Sequence, residues 1–124
     1  MILKIDTEQD VIHAISKTKN FAIEKGMKPL YATQLATIVS ELSYNIIKYA
    51  KHGYITLHAN KYGIKVIAKD KGEGIKNIDK ALCDGYSSSG TLGIGLPGII
   101  RLSDEFNTTT SSSGTQITVY KKFK

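Results

Sequence analysis

Residues 54–74 read Tyr-Ile-Thr-Leu-His-Ala-Asn-Lys-Tyr-Gly-Ile-Lys-Val-Ile-Ala-Lys-Asp-Lys-Gly-Glu-Gly. Ile55, Leu57 and Ala59 alternate with Tyr54, Thr56 and His58. After a turn at 60–63, Ile64, Val66 and Ala68 alternate with Lys65, Ile67 and Lys69. A period of two means side chains on opposite faces, so this is a hairpin with one buried face. Upstream the period becomes helical. Val11, Ala14, Ile15, Thr18 and Ala22 predict a helix that starts at an Asp6 or Thr7 cap, runs to about residue 25 and stops at Gly26. Lys28-Pro29 opens a second helix, with the stripe Leu35, Ile38, Val39, Leu42, Ile46 and Tyr49. Residues 2–5 form a short edge strand. Downstream come a short helix near 78–82, a helix from 92 or 95 to 103, and strands at 105–110 and 115–121 around a turn at 111–114. Strands in adjacent antiparallel pairs and helices in a group predict an α+β chain: a two-layer α/β sandwich, with one sheet face covered by helices.

The 124 residues suit a single domain over 1–124 with a true core. Hydrophobic content of 41% with 23% charged residues is ordinary for a globular protein, and no apolar run is long enough to span a membrane. The first residues, Met-Ile-Leu-Lys-Ile-Asp, are charged too early for a signal peptide. One cysteine, Cys83, cannot close an internal disulfide, so a cytoplasmic location is expected. The net charge of +6 comes from lysines scattered along the chain, with no recognition helix or aromatic platform, so nucleic acid is not the expected partner.

Three polar signals carry chemistry. On the second helix, Glu41, Asn45 and Lys48 stand at i, i+4 and i+7, to one side of the apolar stripe. A carboxylate one turn from a carboxamide can share a small polar site. The amide oxygen suits a hard cation such as Mg²⁺, which takes few protein ligands, and the carboxylate can accept a proton. An ordinary helix rim has the same pattern. Asp70 stands between an apolar strand and Gly72 and Gly74, placed to accept from an exocyclic amine beside glycines that let a flat ring approach; a turn aspartate reads the same way. Residues 84–98, Asp-Gly-Tyr-Ser-Ser-Ser-Gly-Thr-Leu-Gly-Ile-Gly-Leu-Pro-Gly, hold five glycines and run into a helix, a setting that suits phosphate. Gly93-Ile-Gly95-Leu-Pro-Gly98 matches the dinucleotide fingerprint in letters but lacks the preceding buried strand and the later acidic residue. Gly85 and Gly90 match a P-loop, but Thr91 stands where its lysine belongs.

Together the signals resemble the GHKL ATPase superfamily, the Bergerat nucleotide-binding fold of histidine kinases, gyrase B and MutL. Glu41-Leu-Ser-Tyr-Asn45 resembles its N box, Asp70-Lys-Gly72-Glu-Gly74 its G1 box, Gly90-Thr91-Leu92-Gly93-Ile94-Gly95-Leu96 its G2 box, and Gly114-Thr115 its last adenine-side motif. The resemblance covers essentially the whole chain. Within the superfamily the size is similar to that of free-standing anti-sigma-factor-type serine kinases.

This resemblance implies a mixed, mainly antiparallel sheet with helices on one face, and ATP with Mg²⁺ as cofactors. It implies that Glu41 is the general base, that Asn45 binds Mg²⁺, and that Asp70 accepts from the adenine amine with Thr115 beside it through water. Gly72 and Gly74 would admit the adenine. The stretch 84–98 would form a movable ATP lid, with Gly93 and Gly95 giving N–H contacts to phosphates. Arg101 would neutralise phosphates or contact the partner, and Lys48 is either a phosphate contact or a solvated lysine. Glu73 places a second carboxylate in the G1 box. The implied activity is phosphoryl transfer to serine or threonine on a STAS-domain protein within a stress or sigma-factor switch. The alternative is an ATP-gated binding module that sequesters a sigma factor or activates a phosphatase. A slow ATPase stands behind both.

Overall fold

The computed structural model describes residues 1–72 and 95–124. Glu73, Gly74, the helix expected near 78–82, Cys83 and the part of the glycine-rich stretch up to Ile94 lie outside the described residues.

Strand β1 (Ile2–Ile5) leads into helices α1 (Glu8–Glu24) and α2 (Pro29–Ala50). The hairpin β2 (Gly53–Ala59) and β3 (Gly63–Asp70) follows. Helix α3 (Gly95–Leu102) precedes β4 (Glu105–Ser111) and β5 (Gly114–Lys122). The strands form one sheet in the order β1-β2-β3-β5-β4, and every pairing among them is antiparallel. This is the predicted two-layer α+β sandwich, with helices on one sheet face.

Register explains which residues turn inward. Leu3, Ile55, Ala68, Ile117 and Thr108 form one cross-strand row; Leu57, Val66, Val119 and Phe106 form the next. The aliphatic members of these rows are buried, with Phe106 packed at their margin. Tyr54, Lys65, Lys69 and Gln116, out of phase by one residue, are exposed on the other face. The inner face meets α2, where Leu35, Ile38, Val39, Leu42 and Ile46 are all buried. Each such side chain contributes about 1.5–3 kcal/mol on leaving water.

The helix ends follow local chemistry. Thr7 caps α1 by accepting from the Asp10 amide at 3.2 Å, while Asp10 Oδ2 accepts from the Thr7 and Asp6 amides at 3.1 and 2.9 Å. The Asp6 amide leads in holding the Asp10 carboxyl below its usual range. Pro29 opens α2 at a position where a missing N–H costs nothing. Helix α2 stops without a glycine: Lys51 takes φ +71° itself, a conformation L-residues rarely adopt, and the chain turns directly into β2.

Thr18 of α1 is the one position of the predicted α1 stripe that buries a hydroxyl. It is fully buried, and its Oγ1 has no hydrogen-bond partner among the described residues. An unsatisfied buried hydroxyl costs about 1–3 kcal/mol. Thr18→Val, of nearly the same shape, is expected to raise the unfolding free energy by about 1 kcal/mol in urea denaturation. A lowered midpoint would contradict this assignment.

Candidate functional site

Helix α2 is buried on more than its predicted stripe, because α1, α3 and the sheet all pack against it. Ser40, Glu41, Ser43 and Asn45 are therefore buried together with the aliphatic residues. Glu41 has no exposed surface and Asn45 is 7% exposed. Ser43 meets its own needs by donating to the Val39 carbonyl at 2.7 Å. Lys48, seven residues on from Glu41, is exposed, with Nζ 5.3 Å from the Tyr49 ring centroid. Two of the three predicted polar positions on this helix thus share the interior, and the third reaches water.

Asp70 ends β3, with Gly53 of β2 on one side and Thr115 of β5 on the other. Its Oδ1 accepts from the Gly72 amide at 2.9 Å and the Thr115 amide at 3.2 Å. Both bonds fall on one oxygen, so among the described residues Oδ2 is the oxygen presented to an incoming donor. Thr115 is buried, and its hydroxyl lies 2.8 Å from that of Thr110 across the β4–β5 pair.

Glycine brings this cluster onto α2. A Cβ at Gly72 would lie 2.4 Å from the Tyr49 carbonyl oxygen and 2.6 Å from the Ala50 Cβ, so the chain after β3 lies directly on the C-terminal turn of α2. A Cβ at Gly53 would meet Ile46 Cγ2 at 3.0 Å and Asp70 Cβ at 3.1 Å, which seats Asp70 beside the residue that follows Asn45. Gly114 has φ +142°, and a Cβ there would lie 2.3 Å from the Asp70 carbonyl oxygen. The last motif of the chain is thereby packed against the first residue of the G1 box.

Of the G2-box positions, only Gly95 and Leu96 are among the described residues. Both are buried at the start of α3, and Gly95 has φ +57°. Gly74, Gly90, Thr91, Leu92, Gly93 and Ile94 lie outside the described residues. Arg101 is exposed in the last turn of α3, six residues from Gly95 and so about 9 Å along the helix axis.

Lys121 was not singled out by its sequence. It is 7% exposed and stands in phase with Thr115, Ile117 and Val119, so strand alternation already turns it inward. Its Nζ donates to Gln34 Oε1 of α2 and to the Leu102 carbonyl of α3, each at 2.6 Å, and lies 4.9 Å from the Tyr31 ring centroid. It ties α3 to α2 and satisfies a helix-end carbonyl. Burial pushes the Lys121 ammonium below its usual range, against the opposing pull of Asp104.

The residues present fit a nucleotide. The Asp70 carboxylate keeps one oxygen for a donor, Gly72 lets the chain beside it lie close on α2, and a buried carboxamide follows a buried carboxylate by one turn. Among the described residues no cluster of three or more His, Cys, Asp or Glu could hold a metal, so a cation here would depend on the Asn45 amide oxygen together with phosphates and water.

The family model for histidine kinase-, DNA gyrase B- and HSP90-like ATPases matches residues 31–124. The chain belongs to this family, and ATP is the nucleotide that an ATPase domain of this kind uses. The chain is 40% identical to the serine/threonine-protein kinase RsbT of Bacillus subtilis, over 96% of this chain and 93% of that one. It is thus a kinase-like GHKL protein. Among solved structures, the catalytic domain of the histidine kinase ThkA superposes with a TM-score of 0.61 at 11% identity, covering 99% of this chain and 98% of that one. The histidine kinase domain of the blue-light activated kinase from Erythrobacter litoralis gives 0.57 at 18% identity; the match covers 93% of this chain and 64% of that one. At such identities these structures establish the fold alone. No helix among the described residues is long and apolar enough to cross a membrane.

Two outcomes are expected from this geometry. Gly72→Ala would drive a methyl into the Tyr49 carbonyl, so it should weaken ADP binding by at least about tenfold in calorimetry and lower the melting temperature. For Lys121, the unfolded chain holds more protons than the folded one just below the ordinary lysine range, so its contribution to stability rises with pH there. The difference in unfolding free energy between wild type and Lys121→Met should therefore grow between about pH 7 and about pH 10.

Proposed function

We propose that this protein is an ATP-dependent serine/threonine kinase that phosphorylates a STAS-domain partner within a stress or sigma-factor switch in the cytoplasm. The observation that carries the reading is the Asp70–Gly72–Thr115 cluster packed on a helix whose buried polar pair is Glu41 and Asn45. The similarity to RsbT supports the choice of acceptor class.

In this reading Asp70 accepts from the adenine amine and Gly72 lets the ring reach the backbone. Glu41 takes the proton from the partner's serine or threonine hydroxyl. That oxygen bonds to the γ-phosphorus, the bond from the γ-phosphorus to the bridging oxygen breaks, and ADP leaves with the electron pair. Asn45 would hold Mg²⁺, which neutralises phosphate charge when bound. The buried positions of Glu41 and Asn45 in a helix packed by α1, α3 and the sheet supply orientation, which is the main protein contribution to phosphoryl transfer.

Transfer of label from γ-labelled ATP to a purified STAS domain tests the proposal. Glu41→Ala is expected to reduce transfer by about 10²–10⁴-fold while ADP affinity stays within a fewfold of wild type. Partner capture that depends on ATP and survives Glu41→Ala, with no label transferred by the wild type, would instead make the protein an ATP-gated binding module.

A further inference from the structure

The inner face of the sheet is largely apolar in two successive rows, and beyond β1 the next row is mostly polar. That row runs Gly53, Asp70, Thr115, Thr110 from β2 to the edge strand β4. Asp70 and Thr115 have assigned roles in the nucleotide site; Thr110 has none. Yet Thr110 is the direct cross-strand partner of Thr115, it is half-buried, and the two hydroxyl oxygens are 2.8 Å apart.

A threonine hydroxyl has one proton and two lone pairs. Left alone, the Thr115 hydroxyl rotates about its Cβ–Oγ bond and presents donor and acceptor in turn. Pairing with Thr110 takes up one of these capacities and restricts the direction of the remaining ones. The Thr115 amide is committed to Asp70 Oδ1, so the backbone on which this hydroxyl stands is already held. We infer that Thr110 is a positioning residue for adenine recognition: it orients the Thr115 hydroxyl toward the base side of the Asp70 carboxylate.

This inference rests on the proposed nucleotide site. The base is then read by groups on three strands: Thr110 orients the Thr115 hydroxyl, and the Thr115 amide holds Asp70 Oδ1. A hydroxyl on an edge strand then sets affinity without itself touching the ligand. Cross-strand threonine pairs are a known unit of sheet stabilisation, so a purely structural role is the competing explanation, and the test must separate the two.

ADP binding by calorimetry separates them, using the full chain with Thr110→Val, Thr110→Ser, Thr115→Val and the double valine variant. Valine keeps the β-branched shape, so the strand is preserved. Thr110→Val is expected to weaken ADP about fivefold, the scale of one hydrogen bond, and Thr110→Ser to bind as wild type. The double variant should bind no worse than Thr115→Val alone, because Thr110 acts only through Thr115. Full additivity of the two valine substitutions overturns the inference, as does wild-type affinity in Thr110→Val when Thr115→Val is weakened. Wild-type affinity in Thr115→Val and Asp70→Asn as well overturns the nucleotide-site reading along with it.

Discussion

The burial of α2 is the constraint on which the structure depends. Five aliphatic side chains of this helix leave water together, and their combined gain, on the order of 10 kcal/mol, makes its position non-negotiable. Bringing the Glu41 side chain inside takes a polar group out of water, a cost met within that larger gain. A helix that only covered a sheet would keep its polar residues at the surface. Because α1 and α3 also pack on it, α2 carries Glu41, Asn45, Ser40 and Ser43 into the interior, and a chemically useful pair is held without freedom to move.

Asp70 gathers the other half of the site against this helix. One oxygen of its carboxylate joins the end of β3 to the start of β5 and to the turn at Gly72. Gly53, Gly72 and Gly114 make the same junction possible from the steric side, since a methyl at any of them would meet backbone within 2.6 Å. Electrostatics and close packing thus act on the same few residues. Lys121 performs a similar task at the opposite end of β5, where its ammonium binds the Leu102 carbonyl and Gln34. The helix that follows the glycine-rich stretch is in this way tied to the helix that carries Glu41.

Much of this was legible beforehand. The period-two alternation in β2 and β3 and the stripe of α2 specify which faces are buried, since those periods are geometric consequences of strand and helix. The Thr7 cap with Asp10 and the turn at Asn60, whose Oδ1 accepts from the Tyr62 and Gly63 amides, are local hydrogen-bonding patterns within reach of a short window. The left-handed backbone at Lys51, φ +71°, was not, because no glycine or asparagine marks that position.

The sequence by itself therefore determined the described elements, their order, the inward faces and the spacing of Glu41, Asn45, Asp70, Gly72 and Thr115. Only the tertiary structure decided which of them meet. Asp70 and Thr115 are 45 residues apart and become neighbours through the register of β3 with β5. Thr110 gains a role only because β4 pairs with β5 so that its hydroxyl faces Thr115. Lys121 shows the same limit most clearly: its residue type reads as a solvated charge, and strand phase and the packing of α2 and α3 around it make it an interior tie. Short-range periodicity is written in neighbouring residues, whereas hydrogen bonds between strands depend on a register that exists only once the whole sheet has closed.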